Sequence, residues 1–185
     1  ASLNHNSSPT SFMKAVINGL APDKGLYYPK EKVTLSKEFI DSIKNIDDVE
    51  ICYEVINKYV GDEIPKSKLI EIIKNTISFK IPLKKIDNSI YSLELFHGPT
   101  LAFKDIGAKF MAQCLDYFKN NYNSKKITVL VATSGDTGGA VAKGFSGTKD
   151  IDVCILYPKG KISDVQEKQI TTNGDYVKAI EVEGD

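Results

Sequence analysis

Arginine is absent from these 185 residues, and all 24 basic side chains are lysine. Without a guanidinium there is no planar fork to clamp an anion in two parallel hydrogen bonds, so lysines, hydroxyls and backbone N–H groups must do that work. Only three cysteines occur, Cys52, Cys114 and Cys154, and none belongs to a Cys-x-x-Cys pair. An odd, scattered set reads as reduced thiols of an intracellular protein and excludes a disulfide framework. His5 and His97 are the two histidines, far apart and without a cysteine at ligand spacing, so no metal is expected. The 24 acidic residues cancel the lysines, which leaves no net field to attract nucleic acid or an anionic membrane. Residues 1–25 hold no apolar export signal, and no run approaches the ~18 apolar residues of a membrane span. The expected compartment is the cytoplasm.

What is present supports a packed core, since 42% of the residues are hydrophobic against 26% charged. Residues 1–80 read as a helical amino-terminal domain. Phe12, Ala15, Val16 and Ile17 share a helical face after Ser8-Pro9-Thr10, and Gly19 can end that helix. Ser36 reads as the N-cap of a helix over Lys37 to Asn45. Val49 to Val60 repeats the pattern and Gly61 supplies its stop. Ser67 is expected to cap a further helix carrying Leu69, Ile70, Ile72 and Ile73. These stripes are core and the intervening lysines a solvated face, so no chemistry is assigned to this region.

From Ile81 the pattern changes, and residues 81–185 read as a second domain. Ile81 to Ile86 and Ile90 to Leu95 form short strands around an Asp87-Asn88 turn. A helix from about Phe103 to Lys119 follows the Gly98-Pro99 turn. Strands over Ile127 to Ala132, Ile151 to Tyr157 and Tyr176 to Val182 then recur roughly every 25 residues, with helices over Thr137 to Phe145 and Ser163 to Thr172 between them. That order is a βαβαβ crossover pattern, and it gives an α/β fold with a parallel sheet behind a helical amino-terminal region. Ser163 is the expected cap of the last helix and Asn173-Gly174 its stop.

Two features of this second region carry chemistry. Lys104 enters its helix from a Gly-Pro-Thr turn, between Phe103 and Asp105, at the positive helix end where an ammonium is disfavoured. A lysine so placed is a candidate for Schiff-base formation. The loop Thr133-Ser134-Gly135-Asp136-Thr137-Gly138-Gly139 follows a strand and opens a helix, at the carboxyl end where parallel sheets bind ligands. It is neither a Walker A loop nor a Gly-x-Gly-x-x-Gly fingerprint. Its glycines permit sharp turns, and Thr133, Ser134 and Thr137 place hydroxyls beside the free N–H groups of a helix start, a combination suited to a carboxylate or phosphate.

Three stretches together carry a wider likeness: Leu95-Phe96-His97-Gly98-Pro99-Thr100-Leu101-Ala102-Phe103-Lys104-Asp105, Ala132-Thr133-Ser134-Gly135-Asp136-Thr137-Gly138, and Tyr157-Pro158-Lys159-Gly160-Lys161-Ile162-Ser163. With Leu3-Asn4 to Phe12 and Gly61-Asp62-Glu63-Ile64-Pro65, they make the chain resemble the threonine synthase family. These are pyridoxal-phosphate enzymes related to tryptophan synthase β, cysteine synthase and threonine dehydratase. The resemblance implies that Lys104 carries the cofactor as a Schiff base and shuttles protons, and that Thr133, Ser134, Gly135 and Thr137 hold the anionic groups of O-phosphohomoserine. The implied reaction converts that substrate and water to threonine and phosphate. Another eliminase of the family and a non-catalytic ligand-binding module are the alternatives.

The chain departs from the wider family at Asp136, where many relatives have an asparagine that contacts the cofactor ring oxygen, so Asp136 is expected to contact the cofactor or to turn away. Ile106 stands where relatives often have arginine. Threonine synthases are also much longer, and the resemblance puts the cofactor-phosphate loop, the partner of the pyridine nitrogen and a phosphate-binding arginine beyond Asp185. The expectation is therefore an amino-terminal fragment with residues 81–185 as the first, incomplete part of the catalytic domain, inactive alone and prone to self-association.

Overall fold

The computed structural model describes residues 1–121 and 126–184. The chain divides into two compact units, Ala1–Asn75 and Thr76–Asp185.

In the first unit, helix α1 spans Phe12–Asn18, α2 spans Lys37–Ser42, α3 spans Asp48–Val60 and α4 spans Lys66–Thr76, with short 3-10 turns at Ile43–Asn45 and Gly61–Glu63. Side-chain caps set most of the starts: Ser11 accepts the N–H of Lys14, Ser36 that of Phe39, and Asp47 those of Val49 and Glu50. The helix expected to run to Asn45 tightens into a 3-10 turn after Ser42, a common way for a last turn to end. Ser67 does not cap α4. Pro65 accepts the N–H of Leu69 through its carbonyl, which starts the helix one residue before Ser67. Val60, Ile64, Leu69, Ile72 and Ile73 are buried, each at 2% exposure or less, which is why their stripes are apolar.

Two carboxylates organise the backbone of this unit. Asp23 accepts from Ser2 Oγ at 2.5 Å, from the Asn6 N–H at 2.9 Å and from the Gly25 N–H at 3.0 Å, which ties residues 2–6 to the following turn. Glu63 accepts from the N–H groups of Phe12 at 2.6 Å and Met13 at 2.9 Å, so two orphan donors of α1 are met by a side chain 51 residues away.

The second unit opens with the hairpin β1 (Leu83–Lys85) and β2 (Tyr91–Leu93), antiparallel, with Leu83 opposite Leu93. Its strands are shorter than the hydrophobic runs, with backbone bonds from the Ile86 N–H to the Ile90 carbonyl and from the Glu94 N–H to the Pro82 carbonyl beyond their two ends. Helix α5 spans Lys104–Asn121, followed by β3 (Ile127–Ala132), α6 (Asp136–Gly144), β4 (Ile151–Pro158), α7 (Asp164–Thr171) and β5 (Val177–Val182). The three strands form a parallel sheet in the order β3-β4-β5, with Ile127 opposite Ile151 and Val153 opposite Val177. This is the expected βαβαβ unit.

Burial alternates along β4. Ile151, Val153, Ile155 and Tyr157 are buried and the residues between them half-buried, so one face of the sheet carries the core. Each fully buried aliphatic side chain there contributes about 1.5–3 kcal/mol. On the opposite face, Leu130 is 69% and Ile180 46% exposed. Helix α7 starts with a capping box, in which Ser163 accepts the N–H of Gln166 while the Gln166 side chain accepts the N–H of Ser163. It ends where the Asn173 amide donates to the carbonyls of Gln169 and Ile170.

Candidate active site

The turn that delivers Lys104 is closed by Asp105. This carboxylate, 3% exposed, accepts from the Thr100 N–H at 2.9 Å and from Thr100 Oγ1 at 2.5 Å, which satisfies a charge that burial would otherwise penalise. Gly98 is required by the same closure: a Cβ there would stand 2.5 Å from Asp105 Oδ2 and 3.0 Å from the Phe79 ring. Asp105 thus clamps the turn that presents its neighbour, Lys104. Leu101 in that turn is held at φ 60°, an uncommon conformation for a non-glycine residue.

Lys104 is the first residue of α5, half-buried, with Nζ 4.7 Å from the centroid of the Phe103 ring. The ring face attracts the ammonium and gives the side chain a resting place. Lys104 and Thr137 line one cavity of about 560 Å³, whose other walls include Leu95, Phe103, Met111, Ala140 and Val141. Gly107 and Ala108 on α5 and Ala140 on α6 keep that space open. A primary amine facing a mostly apolar slot, with a hydroxyl on the opposite helix, suits a flat aromatic carbonyl compound.

The loop before α6 has an internal frame. Thr133 Oγ1 accepts the N–H groups of Gly135 and Gly138, both at 3.0 Å. A hydroxyl has two acceptor positions and one proton, so Thr133 retains only its O–H to offer an anion. Ser134 and Thr137 are exposed. Among the described residues, none accepts from the N–H groups of Ser134, Asp136 or Thr137. Those donors are available to a carboxylate or phosphate at the start of α6.

Gly135 is buried at φ 143°, and a Cβ on it would come within 2.4 Å of the Gln166 side chain. The same Gln166 donates from Nε2 to Asp136 Oδ1 at 2.8 Å, so Asp136 is turned toward α7. One turn further along α7, Gln169 donates to the Thr100 carbonyl at 3.3 Å and packs against Gly139. Lys104 and Thr137 therefore meet at a cavity, Thr133 and Gly135 serve as loop framework, and Asp136 engages a glutamine. Sequence reasoning missed Gln166 and Gln169. The Ser163-x-x-Gln166 spacing announces a capping box and carries no sign of the loop 30 residues earlier.

A family model described as "Threonine synthase N terminus" matches residues 1–77. The threonine synthase of Buchnera aphidicola subsp. Acyrthosiphon pisum (strain APS) is 46% identical over 182 residues, which is 98% of this chain and 42% of that protein. That of Escherichia coli (strain K12) is 40% identical over 183 residues, 99% of this chain and 42% of that protein. Among solved structures, a PLP-bound threonine synthase from Brucella melitensis superposes with a TM-score of 0.91 at 35% identity, covering 100% of this chain and 41% of that one. The yeast threonine synthase gives 0.89 at 36% identity, covering 100% and 40%. The chain spans 42% of the length of the curated relatives named here.

Proposed function

We propose, from a similarity to threonine synthases along nearly its whole length, that the protein takes part in converting O-phosphohomoserine and water to threonine and phosphate, with pyridoxal phosphate as cofactor. The observation that carries this reading is the shared cavity of Lys104 and Thr137, an amine and a residue of a helix start lining one mostly apolar slot. The slot fits the cofactor's ring: Leu95, Phe103, Met111 and Val141 offer apolar contact, and Lys104 the single amine. Pyridoxal phosphate, when bound, supplies an electron-withdrawing ring that stabilises negative charge on the substrate carbon next to nitrogen.

The chain's own residues then have distinct tasks. Lys104 Nζ holds the cofactor and moves the proton at the substrate's Cα. The N–H groups of Ser134, Asp136 and Thr137, with the hydroxyls of Thr133, Ser134 and Thr137, hold the substrate's carboxylate or phosphate. Gly135 gives that loop its path. A cytoplasmic setting belongs to the same proposal, supported by the three free thiols of Cys52, Cys114 and Cys154.

The test combines trapping with product analysis on the intact protein. After incubation with pyridoxal phosphate and borohydride reduction, peptide mapping is expected to find a phosphopyridoxyl group on Lys104. Turnover of O-phosphohomoserine is expected to yield threonine. Labelling spread over surface lysines and unchanged by Lys104→Ala would overturn the assignment of the lysine, and release of 2-oxobutanoate would identify another eliminase.

A further inference from the structure

We infer that Gln166 is a positioning residue for the anion-binding loop, holding Asp136 aside and roofing Gly135 so that the N–H groups at the start of α6 stay aligned for an anion. The inference rests on the functional reading of that loop given above. Its first support is that the orientation of the Gln166 amide is determined. Oε1 accepts the N–H of Ser163 at 3.1 Å, and a backbone N–H can only donate, so Nε2 must face the other way, where it meets Asp136 Oδ1 at 2.8 Å. Rotating the amide would set oxygen against a carboxylate and an N–H₂ against an N–H.

The second support is steric. Gln166 fills the place where a Cβ of residue 135 would stand, with its Nε2, Cδ and Oε1 at 2.4, 2.5 and 2.8 Å from that point. One half-buried side chain therefore covers Gly135 and binds Asp136, the two residues that begin α6. The third is that Gln166 itself cannot wander: Ser163 Oγ accepts its backbone N–H at 3.3 Å and lies 3.2 Å from Oε1. Gln169 extends the brace to Gly139 and to the Thr100 carbonyl, in the turn that presents Lys104. Helix α7 thus supports both halves of the site without lining the cavity.

The function of the contact follows from charge. An unrestrained Asp136 carboxylate at the same helix start would compete for, or repel, an anion approaching the open N–H groups. Bound to Nε2, it is directed toward α7. Reversing the polarity of the pair tests this. In the intact protein, Gln166→Glu opposes two carboxylates, whereas Asp136→Asn/Gln166→Glu restores a donor and an acceptor, with the asparagine amide now donating.

The readouts are amide shifts and hydrogen exchange at Ser134, Asp136 and Thr137 without ligand, the Kd of inorganic phosphate, and KM against kcat for O-phosphohomoserine. Gln166→Glu is expected to shift and deprotect the loop amides and to weaken phosphate and raise KM by about three- to tenfold, with kcat changed less. The double variant is expected to recover most of that loss. Gln166→Met, of similar length without the polar atoms, must show the same loop change, and it decides the matter if the glutamate variant does not fold. Unchanged loop amides in Gln166→Met, or a double variant as impaired as Gln166→Glu, would overturn the inference. Because the amide readouts need no substrate, a wild-type protein that forms no threonine would defeat the proposed reaction and leave this test standing.

Discussion

The starts of α1 and α6, one in each compact unit, treat their backbone N–H groups in opposite ways. At α1 a carboxylate from elsewhere in the unit meets them, Glu63 taking those of Phe12 and Met13, much as Asp23 takes those of Asn6 and Gly25. In Thr76–Asp185, the loop before α6 uses a neutral hydroxyl, Thr133 Oγ1, for Gly135 and Gly138, and no described residue accepts from Ser134, Asp136 and Thr137. A carboxylate at a helix start already occupies the place an anionic ligand would take. The difference teaches that a helix N-terminus becomes a candidate site only where the fold has withheld its own anion, and that in this chain Gln166 helps to withhold Asp136.

The sharpest way to break the contrast is Lys104→Ala, which is expected to abolish phosphopyridoxyl labelling of the α5 peptide; peptide mass mapping after borohydride checks it. Retained labelling there would take the chemistry away from Lys104. Next in size is a pair of glycine substitutions. Gly135→Ala meets Gln166 and a φ of 143°, and is expected to cost about 1–3 kcal/mol and to eliminate phosphate binding. Gly61→Ala, at φ 60° with nothing within 4 Å of its Cβ position, carries the backbone cost alone and is expected to cost less. Thermal denaturation of the two variants compares them, and equal losses would mean that Gln166 yields.

Glu63→Ala removes the carboxylate that accepts the Phe12 and Met13 N–H groups while Ser11 still caps α1, and is expected to cost about 0.5–2 kcal/mol, with faster hydrogen exchange at Phe12 and Met13. A smaller effect is expected from acid. The Asp23 carboxyl is held down to about 2, first by the Ser2 hydroxyl and then by the N–H groups of Gly25 and Asn6, against the cost of its partial burial. A carboxyl lowered on folding adds stability above its ordinary value near pH ~3.9, and that contribution is lost as pH falls through the lowered one. Residues 2–6 are therefore expected to detach between about pH 4 and pH 2, seen in their amide resonances. Smallest is a difference in thiol reactivity. Burial pushes Cys114 up to about 12, so alkylation at neutral pH should reach the half-exposed Cys154 first, as mass spectrometry can follow.

Much of the second unit was legible in advance because its signals are local. The strands of the sheet begin within a residue of their apolar runs, and Ser163 caps α7 as its spacing predicts. In the first unit, Ser36 and Gly61 mark helix ends for the same reason: a cap bonds within three or four residues of itself. Ser67 misled because a serine in the first turn and one before it look alike in sequence, and the carbonyl of Pro65 was the better acceptor position. The site was legible as residue types. Lys104, Ser134 and Thr137 announced an amine and an anion loop, whereas nothing in the sequence marked Asp105, the neighbour of Lys104, as the clamp on Thr100.

By itself, the sequence determined the helices, the βαβαβ order, the lack of guanidinium clamps and the likeness to threonine synthases, since periodicity, caps, composition and motif spacing are properties of neighbours along the chain. Only the tertiary structure decided that Lys104 and Thr137 face one cavity, that Glu63 caps a helix 51 residues before it, and that Gln166 turns Asp136 aside. Those contacts depend on where packing brings distant backbone segments, and a side chain some 6 Å long can choose its partner only after the core has set that distance.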